Sequence, residues 1–156
     1  MPTIREQLLG TWRLASYYTE GTDGSIVYPM GQQVRGFIMY LPDGYMSANL
    51  MVPGREVYTG GIAETATAEQ LRAAALGYFG YAGRYQVDEV AQAVRHHIEV
   101  ALAPNLAGST QSRHVRFEGR QLMLRGDPVR LGERMASYVI NWERVEDAEQ
   151  ATAGTQ

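Results

Sequence analysis

The stretch Ala93–Leu102 reads AVRHHIEVAL, and its period decides what kind of protein this is. Val94, Ile98, Val100 and Leu102 alternate with Arg95, His97 and Glu99, the period-two pattern of a β-strand with one apolar face. In a strand, neighbouring side chains point to opposite sides of the sheet, so the adjacent His96 and His97 cannot act as a pair. His96 shares the apolar face and points to the core. His97 shares its face with Arg95, Glu99 and Ala101 and points outward.

The same alternation recurs on both sides of this stretch. Downstream it appears in STQSRHVRF (109–117), LMLRG (122–126) and RMASYVINWERV (134–145), and immediately upstream in GRYQV (83–87). In the first half, Trp12, Leu14, Ser16 and Tyr18 share one face of a strand that runs to the turn GTDG (21–24). SIVY, GFIMY and YMSANLM follow, the last two joined by Leu41-Pro42-Asp43-Gly44. Proline presets φ in that turn and glycine tolerates positive φ. Two helices interrupt the pattern. Thr3 to Glu6 is a capping box opening a short helix that stops at Gly10, and Thr67 to Gln70 is a second one leading into LRAAALGYF. That helix is expected to give way between Gly77 and Gly83.

Eight or nine strands with only two helices cannot be a sheet covered by helices on both faces. The expected fold is mainly all-β: an antiparallel up-and-down barrel, with a short N-terminal helix and one helix between the two halves. Its interior would hold Trp12, Leu14, Ile38, Tyr40, Met46, Ala48, Val94, Ile98, Val100, Val115, Phe117 and Leu124. One domain spans residues 1–146, and the polar tail 147–156 reads as disordered.

Composition excludes several chemistries. The 156 residues include no cysteine, which removes disulfides, thiolate nucleophiles and cysteine-ligated metals. All 14 basic residues are arginines, so no lysine Schiff base can form. A net charge of −3 with scattered arginines offers no footprint for nucleic acid or an anionic membrane. Neither GTDG nor GYFGYAG has the spacing of a phosphate-binding loop, and Ser16 and Ser47 lack a His-acid relay. No cofactor or metal is expected. The charged opening MPTIREQLLG resembles no signal peptide, which points to a cytoplasmic protein, monomeric or homodimeric.

Gly10-Thr11-Trp12, after a short helix and opening the first strand, resembles the glycine-x-tryptophan signature of lipocalins and other calycins. Arg144 in the final NWERV resembles the arginine that packs on that tryptophan in those proteins. The blocks GTWRL (10–14), DGYMSA (43–48), YAGRY (81–85), HHIEVALAPN (96–105) and GSTQSR (108–113) are similar to the lipocalin-like domain family of bacteria and fungi. The resemblance spans residues 8–145 and departs at Leu106, where those relatives carry tryptophan after Pro-Asn. It implies a calycin-like barrel with a small apolar ligand, often in natural-product pathways, and no single activity.

Two histidine clusters follow from the alternation. Pairing the next strand with its apolar face inward places Arg113 opposite Ile98 and His114 opposite His97. The outer set of His97, Glu99 and His114 has metal-ligand chemistry, but Arg95 and Arg116 beside it oppose a cation. The inner set is His96, Arg113 and Gln111, with Tyr40, Tyr81, Tyr85 and Tyr138 in the same barrel. A buried arginine without a partner costs several kcal/mol, roughly, and no acid shares its face, so Arg113 suits an anionic or carbonyl-bearing ligand. Alternatively Arg113 extends to the barrel mouth while His96 bonds a tyrosine or a backbone carbonyl.

Two functions use this chemistry. One is binding of a small, largely apolar molecule with a polar or anionic group, through Trp12, Tyr40, Met46, Ala48, Tyr81, Ile98, Gln111 and Tyr138. The other is a cofactor-independent cyclase or isomerase acting on a polyketide- or terpenoid-like substrate. In it His96 or Tyr85 transfers a proton and Arg113 stabilises negative charge.

Overall fold

Each capping box closes on itself in the computed structural model, which describes residues 1–146. The Thr3 hydroxyl accepts the Glu6 N–H while the Glu6 carboxylate accepts the Thr3 N–H, starting α1 (Ile4–Leu8). Thr67 and Gln70 do the same for α2 (Ala68–Leu76). Satisfying these first N–H groups is what lets such short helices form. No helix of the described residues is long and apolar enough to cross a membrane.

The remaining elements are strands: β1 (Gly10–Gly21), β2 (Ile26–Val27), β3 (Arg35–Tyr40), β4 (Tyr45–Met51), β5 (Tyr78–Asp88), β6 (Ala93–Ala101), β7 (Thr110–Glu118), β8 (Gln121–Arg125), β9 (Val129–Leu131) and β10 (Arg134–Arg144). Pairing runs β1-β3-β4-β5-β6-β7-β8-β10, all antiparallel, and β10 returns to β1. The result is a closed eight-stranded barrel. Short β2 and β9 are added alongside β1 and β10, and β9 has no counterpart in the sequence reading. The tail 147–156, expected to be disordered, lies outside the described residues.

One end of the barrel is sealed. Arg144 lies over the Trp12 ring, with its guanidinium carbon 4.0 Å from the centroid, and donates to the carbonyls of Leu9 and Gln7. Trp12 Nε1 donates to Leu8 O at 2.9 Å. Glu89, in the β5–β6 turn, accepts the N–H groups of Ile4 and Arg5. These contacts tie α1 across the opening. Above it, Trp12, Ile38, Tyr40, Met46, Ala48, Val94, Ile98, Leu122, Leu124 and Trp142 form a packed core, each at most 3% exposed.

The two tryptophans differ in one respect. Trp142 Nε1 is buried with no acceptor among the described residues, whereas Trp12 Nε1 is bonded. Trp12→Phe is therefore expected to cost about 1–2 kcal/mol more than Trp142→Phe, because only Trp12 loses a hydrogen bond, leaving the Leu8 carbonyl without its buried donor. Urea unfolding of the two variants at pH 7 measures the difference, and equal losses would count against it.

Bulges shift the alternation in two places. In β1 the register slips at Ala15, between Leu14↔Trp142 and Ser16↔Asn141. Trp12 and Leu14 point inward as expected, but beyond the slip Tyr17 and Thr19 take the inner face. Ser16 turns out to meet the Asn141 amide at 2.9 Å, and Tyr18 turns outward with it. The face expected to join Trp12, Leu14, Ser16 and Tyr18 is thus split. In β6, Ile98 pairs with Gly83 and Val100 with Ala82, so Glu99 is the extra residue. Val100 and Leu102, expected inside, are 64% and 48% exposed, and Ala101 packs against the core instead.

The β6–β7 register also differs from the expected one. Arg113 pairs with Val94, Gln111 with His96, Thr110 with His97 and His114 with Ala93. The faces match, but the offset is four residues, because the chain from Leu102 to Ser109 forms a loop folded back on the β6 end, with Ile98 bonded to both Ser109 and Gly108. The segment Gly77–Gly83, expected as the end of a helix, is mostly strand: β5 begins at Tyr78.

Candidate functional site

Between the packed core and the end of the barrel opposite α1 lies a cavity of about 280 Å³. Aromatic rings form much of its wall. Tyr17 and Tyr138, diagonal neighbours on β1 and β10, stack at 6.2 Å with 13° between planes, and Phe79 meets Tyr81 edge-on at 5.6 Å. Leu50, Ile140 and Leu106 complete the apolar lining, and Gln111 and Arg113 are its polar part. Tyr17 enters this wall only because the Ala15 bulge reverses β1.

Arg113 is half-buried at the level of Gly126, where an added Cβ would lie 3.4 Å from its Nη1. It donates to Ser112 O at 2.8 Å. Among the described residues, no carboxylate lies within ion-pair distance of it, unlike Arg84, Arg95 and Arg125, which each meet an acid. Arg113 is thus the cationic group of the cavity, with donors to spare.

Behind the cavity wall His96 is 1% exposed, with both ring nitrogens occupied. Nε2 is 2.7 Å from the Tyr40 hydroxyl and Nδ1 is 2.7 Å from the Tyr81 hydroxyl. Burial, reinforced by the positive charge of Arg113 and by His97, holds its pKa down to about 3, so the imidazole is neutral. Burial raises the Tyr81 and Tyr17 phenols to about 12 against the lowering effect of Arg113, while the neighbouring Tyr138 adds to the rise at Tyr17. Tyr40 is pushed well above the ordinary phenol range by burial. Tyr85 packs edge-on to Tyr40 at 5.0 Å and donates to Leu41 O, towards the sealed end.

The residues singled out from the sequence therefore fall into layers. Tyr81, Gln111, Arg113 and Tyr138 line the cavity. His96 and Tyr40 stand directly behind it, and Trp12, Met46, Ala48, Ile98 and Tyr85 belong to the packed core. The outer set is dispersed: His97 meets Thr110 and Gln86, His114 meets Asp127, and Glu99 meets Arg84. Tyr17, Leu50, Phe79, Leu106 and Ile140 line the cavity without having been singled out. Only Leu106 carried a signal, as the departure from the family blocks.

The sequence model of the lipocalin-like domain matches residues 9–145. The chain belongs to the lipocalin-like domain family. Among its relatives is the 4'-hydroxy-3'-methoxypropiophenone carrier protein of Aspergillus oryzae, 35% identical over 85 residues that cover 51% of this chain and 77% of the relative. No solved structure matches the chain. In this lipocalin-like barrel the sealed end carries the Trp12–Arg144 contact, and the cavity occupies the other end.

Proposed function

We propose that this lipocalin-like barrel is a small-molecule carrier in secondary metabolism. Its cargo is a largely apolar, single-ring compound with a polar oxygen, held in the cavity and released unchanged. The observation that carries the reading is the cavity itself: stacked and edge-on aromatic walls around one unpaired arginine. Its volume is near the small end of the ~300–1,000 Å³ typical of ligand pockets, which suits one ring better than a fused polycycle. The carrier function of the Aspergillus oryzae relative supports the same reading.

The alternative, a cyclase or isomerase, needs a proton-transfer group at the substrate. His96 is a poor candidate, since it is walled off by two tyrosines and its pKa of about 3 makes it a weak base. Tyrosines raised to about 12 are equally far from the neutral range. Carriage asks none of them to titrate.

Calorimetric titration with 4'-hydroxy-3'-methoxypropiophenone tests the proposal. Saturable one-to-one binding is expected, with the compound recovered intact by mass spectrometry after prolonged incubation. Arg113→Leu is expected to weaken binding about tenfold or more, the usual effect of removing a charged hydrogen-bond donor. Conversion of the compound, or undiminished affinity in the variant, would contradict the assignment.

A further inference from the structure

Hydrogen-bond polarity fixes the direction of the Tyr40–His96–Tyr81 chain. A neutral imidazole has one N–H and one lone pair, so of two tyrosines bonded to it one donates and one accepts. Tyr40 is fully buried at 0% exposure, borders no part of the cavity, and has His96 as the one partner of its hydroxyl among the described residues. If Tyr40 accepted from the ring, its own proton would be a buried donor with nothing to meet, an arrangement folded proteins avoid. Tyr40 therefore donates to Nε2, the ring proton sits on Nδ1, and the Tyr81 oxygen accepts it. That leaves the Tyr81 O–H without an acceptor among the described residues. Tyr81 lines the cavity, as does Arg113.

We propose that Tyr81 and Arg113 form a two-donor seat for the carbonyl oxygen of the ligand. His96 is the positioning residue that leaves the Tyr81 proton free to donate. The proposal rests on the carrier reading and names the functional group that the carrier selects. Arg113 has only donors, one of them used on Ser112 O. Gln111, which also lines the cavity, directs its amide nitrogen to Ser109 Oγ. An ammonium would meet two donors in this seat, one of them the Arg113 cation, so amines are disfavoured where ketones are held.

Two measurements on the wild-type protein test this. Long-range proton–nitrogen correlation of ¹⁵N-labelled protein is expected to show the His96 proton on Nδ1 and a bare Nε2. A proton on Nε2 would overturn the proposal, because Tyr81 would then spend its hydrogen on the ring. The second is a matched pair of ligands: the same aryl ketone and its counterpart with a methylene in place of the carbonyl, 2-methoxy-4-propylphenol. The ketone is expected to bind more tightly by about tenfold or more, and Tyr81→Phe to narrow that ratio severalfold by weakening the ketone alone, Arg113 still donating to it. Equal affinities in the wild type overturn the seat and leave the carrier reading standing. Failure of both compounds to bind overturns the two together. Neither wild-type measurement depends on the variant folding.

Discussion

Lowering the pH from 7 to 4.5 is expected to cost this protein about 3 kcal/mol of stability through His96 alone. The group has a pKa of about 3 in the folded state and 6.5 when exposed. Protons therefore bind the unfolded chain in preference, and folding stability falls with falling pH. The contribution is fully present above pH 6.5, and below it each pH unit removes about 1.4 kcal/mol until the folded-state value is reached. Over the whole window the loss approaches 5 kcal/mol, roughly the entire stability of a marginal domain. Other groups titrate over the same range, so the test is a comparison. His96→Gln keeps a donor and an acceptor for the two tyrosines and removes the ionisation. Urea unfolding at pH 7 and pH 4.5 should show a shallower acid loss in the variant by about 3 kcal/mol. Parallel losses would show that the imidazole is not the source.

A comparable effect is expected from one methyl group in β5. A Cβ at Gly83 would lie 2.0 Å from the carbonyl oxygen of His97 and 2.9 Å from the Glu99 nitrogen, both backbone atoms of β6 at its bulge. Neither can move without unpicking the ladder, so Gly83→Ala is expected to cost about 3 kcal/mol or more, the upper range for overpacking. Gly80 is the control. A Cβ there meets the tips of the Asn49 and Tyr78 side chains at 2.8 Å, which can rotate aside, so Gly80→Ala should cost clearly less. Denaturant midpoints of the two variants at pH 7 make the comparison, and similar losses would refute the backbone argument.

Most of the barrel was legible in the sequence because its strands carry plain alternation and its helices open on capping boxes. The same alternation separated His96 from His97 and put Arg113 and Gln111 inside. Illegible were the places where backbone geometry overrides period. Ala15 and Glu99 are ordinary residues that happen to occupy bulges, and nothing in their chemistry marks a slip. Each slip moves a cavity or core residue: Tyr17 in, Val100 out. The start of β5 at Tyr78 was hidden by its glycines, of which Gly83 is there for close backbone approach to β6 rather than for a turn. The β6–β7 offset depends on how the intervening loop folds back, which no pattern within either strand encodes. The partners of His96, by contrast, are Tyr81 on the neighbouring β5 and Tyr40 on β3, and it is the curvature of the sheet that brings Tyr40 across to it.

Closure also sets the order in which the molecule can be made. β1 pairs with β3 on one side, a local contact, but its other edge is β10, and Arg144 reaches Leu9 across 135 positions of sequence. A chain emerging from the ribosome must hold β1 with an open edge until the last strand is synthesised. That edge is a template for foreign strands for the whole interval. Closure is thus the most distant strand pairing of the barrel, the kind of non-local contact that slows folding.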